Sequence, residues 1–319
     1  AWNYDNLVVA QLPNSRYHQY SKFPHTKKGL YTMKVLKKIG CVLFCLLPIL
    51  LAFGLQLLIT FAGLALRAFY LFHQDPSLIG SFSSPEFQRK LLGDSQFLMA
   101  LSVIYGIASA LALGFWYWKW CFPKKKPRRK PSAIINPAMI LGLLFMVVGL
   151  QYISTYLIMA VAAINPSWYE YYESLMESAG FGNVTIALAL YSVVVAPISE
   201  ELIFRGITLK YAAKAMPFFL ANIFQAFLFG VFHGNMVQGV YAFAVGLFCG
   251  YICVKGESIY LSILFHMLFN LWGTFQPDFL SYAGNSLPVH LGILAGAAIL
   301  SGIGAFLYQR GVRNRLPAY

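Results

Sequence analysis

Two adjacent glutamates and an arginine interrupt a stretch long and apolar enough to cross a bilayer. Val184 to Ile198 carries no charge, and Ser199-Glu200-Glu201-Leu202-Ile203-Phe204-Arg205 follows it directly. Each such residue at the centre of a membrane helix costs roughly 2.5–3.5 kcal/mol to insert, so it needs a partner or a purpose. Helical geometry separates their roles. Glu201 and Arg205 are four apart, share a face and can pair. Glu200 lies about 100° round the helix from Glu201, which leaves it the carboxylate free to face a cavity. Pro197 cannot donate to the helix ladder and should kink it. Taken alone, the stretch also fits a structural ion pair with one extra acid.

The rest of the chain supplies the membrane setting. It has 319 residues, 59% hydrophobic and 11% charged, against about 25% charged in average globular usage. The expected fold is therefore all-α, a polytopic transmembrane bundle in a lipid bilayer. The net charge of +13 does not indicate nucleic acid, because the basic residues flank apolar segments and set topology instead. Cys41, Cys45, Cys121, Cys249 and Cys253 all lie in or at the ends of apolar segments, so no disulfide framework is expected. Cys249 and Cys253 read as small core residues.

Eight spans are predicted. They are Cys41 to about Tyr70, Gln96–Phe122, Ala133–Ile164, a fourth from about Val184 through the charged motif, Pro217–His233, Val237–Val254, Ser258–Trp272 and His290–Tyr308. Residues 73–93 read as a mixed polar loop. Residues 165–183 hold Glu170, Glu173 and Glu177 without a lysine or arginine, which suits an interfacial helix. Gly234-Asn235 should break the chain between spans five and six. Basic flanks at 34–38, 124–130, 210–214, 255 and 310–315 fall on one side and the acidic loops on the other, which makes both termini cytoplasmic. Met33 resembles a start site, so residues 1–32 are set apart as an extension, a tail or added sequence. The remainder divides into 33–183 (the first three spans), 184–272 (the core that carries the chemistry) and 273–319 (the last loop, span and basic tail).

Further polar residues converge on the charged motif. Phe229-Gly230-Val231-Phe232-His233 ends the fifth span on a histidine. His266 and Asn270 lie four apart on one face of the seventh. If the fourth and fifth spans turn at Met216-Pro217, Glu200 and His233 are nearly equidistant from the turn. Glu200 then lies about 15 Å inside the interface marked by Lys210, and His266 about 12 Å beyond Ser258. Such a set suits hydrolysis. A desolvated glutamate can act as general base, a histidine can shuttle the proton, and a second histidine with an amide can donate to an oxyanion. Ser199 points elsewhere. Asn222 and Gln225 read as interhelical hydrogen-bonding residues.

In these residues the chain resembles the CAAX-protease and bacteriocin-processing (CPBP) family of intramembrane endopeptidases, which includes the Ras-converting CAAX endopeptidases. The shared pattern is Glu200-Glu201-x-x-x-Arg205, Phe229-x-x-x-His233 and His266-x-x-x-Asn270, in order on successive apolar segments over about residues 184–272. The resemblance implies a multi-pass endopeptidase acting on a peptide or membrane-anchored protein, in the plasma membrane if bacterial. By motif position, Glu200 and His233 activate water, His266 and Asn270 form the oxyanion site, and Glu201 and Arg205 support the helix. Members of the family have been described both as metalloproteases and as metal-free. A Glu-His-His set of Glu200, His233 and His266 can hold zinc with one open position, but the metal-free reading is preferred. Two other classes compete: a proton-coupled transporter, and a non-catalytic scaffold or immunity protein. No inverted repeat favours the first, and the complete motif set disfavours the second.

Overall fold

The computed structural model describes residues 27–123, 134–275, 284 and 286–315, with side chains described from residue 35 onward. These residues form helices and contain no strand. Six helical stretches are long and apolar enough to cross a membrane: Val35–Gln74, Ser95–Cys121, Pro137–Ile164, Ile186–Ala215, Met236–Lys255 and Leu287–Arg313. The predicted fifth and seventh spans are apolar helices of 15 and 17 residues. By helix rise these reach about 22 and 25 Å, short of a hydrocarbon core about 30 Å thick. The eight predicted segments are thus six full-length helices and two short ones. The basic run 124–130 and most of the loop 273–289 lie outside the described residues.

The first predicted span is two helices. α1 (Lys27–Phe44) and α2 (Leu47–Gln74) meet at a turn over Cys45 and Leu46. Pro48 in the first turn of α2 has no N–H to continue the ladder from α1. The loop predicted at 73–93 contains a short helix, α3 (Pro85–Leu92), capped by Ser84. Behind it Arg67 pairs with Asp94 at 2.9 Å, and Asp94 caps α4 (Ser95–Cys121) by accepting from the backbone of Gln96 and Phe97. The N–H of Phe97, above all, holds the Asp94 carboxyl below its ordinary range.

α5 (Pro137–Ile164) leads into α6 (Pro166–Ser178), the surface helix expected from the acidic segment. α7 (Ile186–Ala215) carries the charged motif. α8 (Phe218–Phe232) follows it, then α9 (Met236–Lys255), α10 (Ile259–Phe275) and α11 (Leu287–Arg313). The break before α9 is as expected: Gly234 takes φ +71° and Asn235 caps α9 by accepting from Gln238. α5 and α11 approach closely through small residues. A Cβ placed on Gly142 would lie 2.6 Å from the Gly304 carbonyl, the kind of contact that replaces hydrophobic drive between helices in lipid. One core cluster joins α2, α4, α5, α7, α8, α9, α10 and α11, with Phe204, Phe229, Phe265 and Tyr308 among its fully buried side chains.

α7 is a continuous helix whose ladder changes register twice. Tyr191–Val195 and Leu202–Thr208 are π-helical, and the α-helical Ala196–Glu201 between them holds the two glutamates. Such wide turns cluster at functional sites. The kink expected at Pro197 is taken up by the first of them. Ala196 donates to Tyr191, five residues back. In that register the donor due to Ser192 is Pro197, which has no N–H. The orphaned carbonyl is met from another helix, described below.

Candidate active site

Glu201 is fully buried and Arg205 is 1% exposed. Their i, i+4 pairing is close, Nη1 of Arg205 donating to Oε1 of Glu201 at 2.6 Å. Arg205 also donates to the Gly246 carbonyl of α9 at 3.0 Å, and its guanidinium stacks over the Phe229 ring at 4.6 Å. The arginine therefore ties α7 to α8 and α9 around one aromatic ring. Asn222 and Gln225 are interhelical as expected. They donate to the carbonyls of Leu247 and Gly246 at 3.0 and 2.9 Å.

His266 stands between the two carboxylates. Its Nδ1 donates to Oε1 of Glu201 at 3.0 Å, and its Nε2 lies 3.7 Å from Oε2 of Glu200. A carboxylate can only accept, so this contact puts the ring proton on Nδ1. His266 is 3% exposed, while the Glu200 side chain keeps 18% exposure and opens onto a cavity. The cavity has a volume of about 190 Å³, and His233 shares it with Glu200. His233 donates from Nδ1 to the Phe229 carbonyl of its own helix at 2.8 Å, which leaves Nε2 as an acceptor in the neutral ring. The Phe229 ring meets both imidazoles edge-on, with centroids 4.9 Å from His233 and 5.6 Å from His266.

Asn270 supplies the missing donor on α7. Its Nδ2 donates to the Ser192 carbonyl at 2.8 Å, the group that Pro197 leaves without a partner. His266 and Asn270, one turn apart on α10, thus grip α7 at two points, a charged side chain and an unpaired carbonyl. Ser199 donates to Ser109 of α4 at 2.7 Å and, contrary to expectation, lines the same cavity as Glu200.

Three ligand-type atoms come within 4.8 Å of one another, among the described residues, at Glu201, Cys249 and His266. The zinc set named from sequence, Glu200, His233 and His266, is not such a group. The trio that does converge suits a cation poorly. Oε1 of Glu201 already accepts from the Arg205 guanidinium and from Nδ1 of His266, so a metal would have to displace one cation and sit beside it. Cys249, read from sequence as core filler, is buried, but it borders the charged cluster.

All six named residues fall within one stretch of the chain. Residues 182–272 match the family model described as type II CAAX prenyl endopeptidase Rce1-like. That segment is similar to a CAAX-protease core, and the match covers less than a third of the chain. No curated protein and no solved structure matches the chain. The cavity, however, extends beyond the Rce1-like segment. Phe53 and Gln56 of α2 and Tyr105 and Gly106 of α4 line it opposite Glu200 and His233. Gly106 lets α4 approach, since a Cβ there would lie 2.5 Å from Cγ1 of Val195. Phe53 closes the wall against Phe232, the residue before His233, at a centroid distance of 5.1 Å. Sequence reasoning passed over these wall residues, because a single Gln or Tyr in an apolar span has no periodic signature. The nearest signal was Gln56 itself, an amide at membrane depth.

Proposed function

We propose that the protein is an intramembrane endopeptidase that hydrolyses a peptide bond of a membrane-associated peptide or protein. The observation that carries this reading is the shared cavity. Glu200 and His233, from two helices of the Rce1-like segment, open onto the same small cavity. In this reading Glu200 accepts a proton from water as the water oxygen adds to the scissile carbonyl. The unprotonated Nε2 of His233 accepts the water's other hydrogen bond. The proton passes to the leaving nitrogen as the C–N bond breaks, releasing an amine and a carboxylate. Asn270 spends one N–H on Ser192 and has a second for the developing oxyanion. His266 can donate from Nε2 only when both ring nitrogens carry protons, since Nδ1–H is committed to Glu201.

No step in this scheme needs a metal. The proposal also takes α8 and α10 as short spans, making eight in all with both termini on the cytoplasmic side, because the basic flanks alternate with the acidic loops in that register. Short helices beside a hydrolytic site thin the apolar path that water must cross. The matched family's name specifies prenylated CAAX substrates, so a prenylated peptide is the first substrate to assay.

The test is cleavage of an internally quenched peptide, prenylated on a cysteine four residues from its C-terminus, by the purified chain in liposomes. Mass spectrometry should find a cut dependent on Glu200. Cleavage that survives unchanged in a folded Glu200→Gln protein would remove Glu200 from the chemistry. Its absence from wild type on prenylated and unprenylated peptides alike would remove the endopeptidase reading.

A further inference from the structure

The geometry points to Gln56 as a substrate-binding residue that pairs with the main chain of the peptide being cut. This inference rests on the endopeptidase reading. Gln56 lies on α2, outside the Rce1-like segment, and lines the cavity facing Glu200 and His233. Phe53 lies one turn earlier on the same face and packs on Phe232. That contact fixes the rotation of α2 and turns Gln56 toward the site.

The amide of Gln56 makes no hydrogen bond or ion pair among the described residues, and it is exposed within a helix of high hydropathy. A polar group without a partner at membrane depth is costly, so its presence calls for an occupant that satisfies it. The substrate has the matching deficit. A peptide bond must leave the helix to be attacked, and an extended segment in lipid carries unpaired N–H and C=O groups. A glutamine side chain offers one acceptor oxygen and two N–H donors, the complement of a single peptide unit. Pairing there would hold the chain extended across the cavity, with its carbonyl presented to the water between Glu200 and His233. The contact reads backbone rather than side chain. It sets the register of the cut without demanding a particular residue at that position.

The test compares wild type, Gln56→Met and Gln56→Glu, purified as full chains in liposomes, on the quenched prenylated peptide. Methionine keeps the length and removes both hydrogen-bonding functions, and glutamate restores an acceptor. Gln56→Met should raise KM about five- to tenfold, the worth of one or two hydrogen bonds, with kcat within about twofold of wild type and an unchanged melting temperature. Gln56→Glu should recover part of the loss. A second series replaces the peptide bonds of the substrate one at a time with esters, which removes the N–H and weakens the carbonyl. At one position the ester should erase the difference between wild type and Gln56→Met. An unchanged KM overturns the inference. So does a fall in kcat alone, which would assign Gln56 to the water, and so does a KM defect that no ester erases. If wild type and all variants fail to cleave any peptide, the endopeptidase reading fails first, and this inference falls with it.

Discussion

His266 is oriented by Glu201, not by Glu200: Nδ1 donates to Oε1 of Glu201 at 3.0 Å, and Nε2 is left 3.7 Å from Glu200. Two carboxylates that adjoin in sequence therefore act on opposite nitrogens of one ring. The buried one, already paired with Arg205, fixes the tautomer. The other faces the cavity.

That division predicts a clean separation of effects at Glu200. Glu200→Gln is nearly isosteric and breaks no hydrogen bond that holds the helices together. Peptide cleavage should be lost, with the melting temperature in detergent within a degree or two of wild type. A large loss of stability would mean that Glu200 is structural, and the base would have to be sought elsewhere.

Glu201→Ala and Arg205→Ala should behave in the opposite way. Each strands a buried charge, and breaking a buried pair costs on the order of 3–5 kcal/mol. Arg205→Ala also removes one of the two donors to the Gly246 carbonyl, leaving Gln225, and removes the cation from the Phe229 ring. Thermal unfolding followed by fluorescence should fall sharply for both. The double variant should lose less than the sum of the two, because it leaves no charge unpaired.

Asn270 and Pro197 should be coupled through Ser192. Asn270→Ala leaves the Ser192 carbonyl unpaired in a membrane helix. Pro197→Ala restores an N–H that can reach that carbonyl or return the turn to α register. The stability lost in Asn270→Ala should be smaller in the Pro197→Ala background. An oxyanion role adds a separate loss, about 10²–10³ in kcat, that Pro197→Ala does not rescue. A purely structural Asn270 would show the stability coupling with normal kcat in the folded fraction.

Gly106→Ala should push α4 off α7. The new methyl would meet Val195, a β-branched side chain with little freedom to turn away. Overpacking of this kind costs about 1–3 kcal/mol. Substrate binding should suffer along with stability, since Gly106 lines the cavity. A variant with wild-type melting temperature and KM would show that the helices can separate there at no cost.

Chelation distinguishes the two chemistries proposed for residues of this kind. Wild-type protein freed of zinc, with metal content checked by mass spectrometry, should keep its cleavage rate. Loss of activity restored by zinc alone would reverse the metal-free proposal.

The sequence was most legible where charge met apolarity. The pairing of Glu201 with Arg205 followed from a four-residue spacing, and the long helices followed from hydropathy, apart from the break at Cys45 that Pro48 imposes; the short α3 inside the predicted loop 73–93 did not. Two things were hidden for physical reasons. The π turns leave no periodic trace, so the tie between Asn270 and Ser192 could not be read from residue types. The cavity wall on α2 and α4 is built by packing between segments some fifty and a hundred and fifty residues distant. Gly106, the hydroxyl of Ser109 and Phe53 acquire meaning only once those helices are side by side.

Because the cavity residues proposed to react, Glu200 and His233, lie on α7 and at the end of α8 and the facing wall on α2 and α4, the molecule is built like a tool with an exchangeable jaw. In the proposed mechanism residues 182–272 carry the chemistry, and the surface against which a peptide would be held lies outside them. A lineage could retain the cutting half unaltered and acquire new prey by drift in its first two hydrophobic segments. Preference would then diverge while the motifs used to recognise such a protein stayed silent about it.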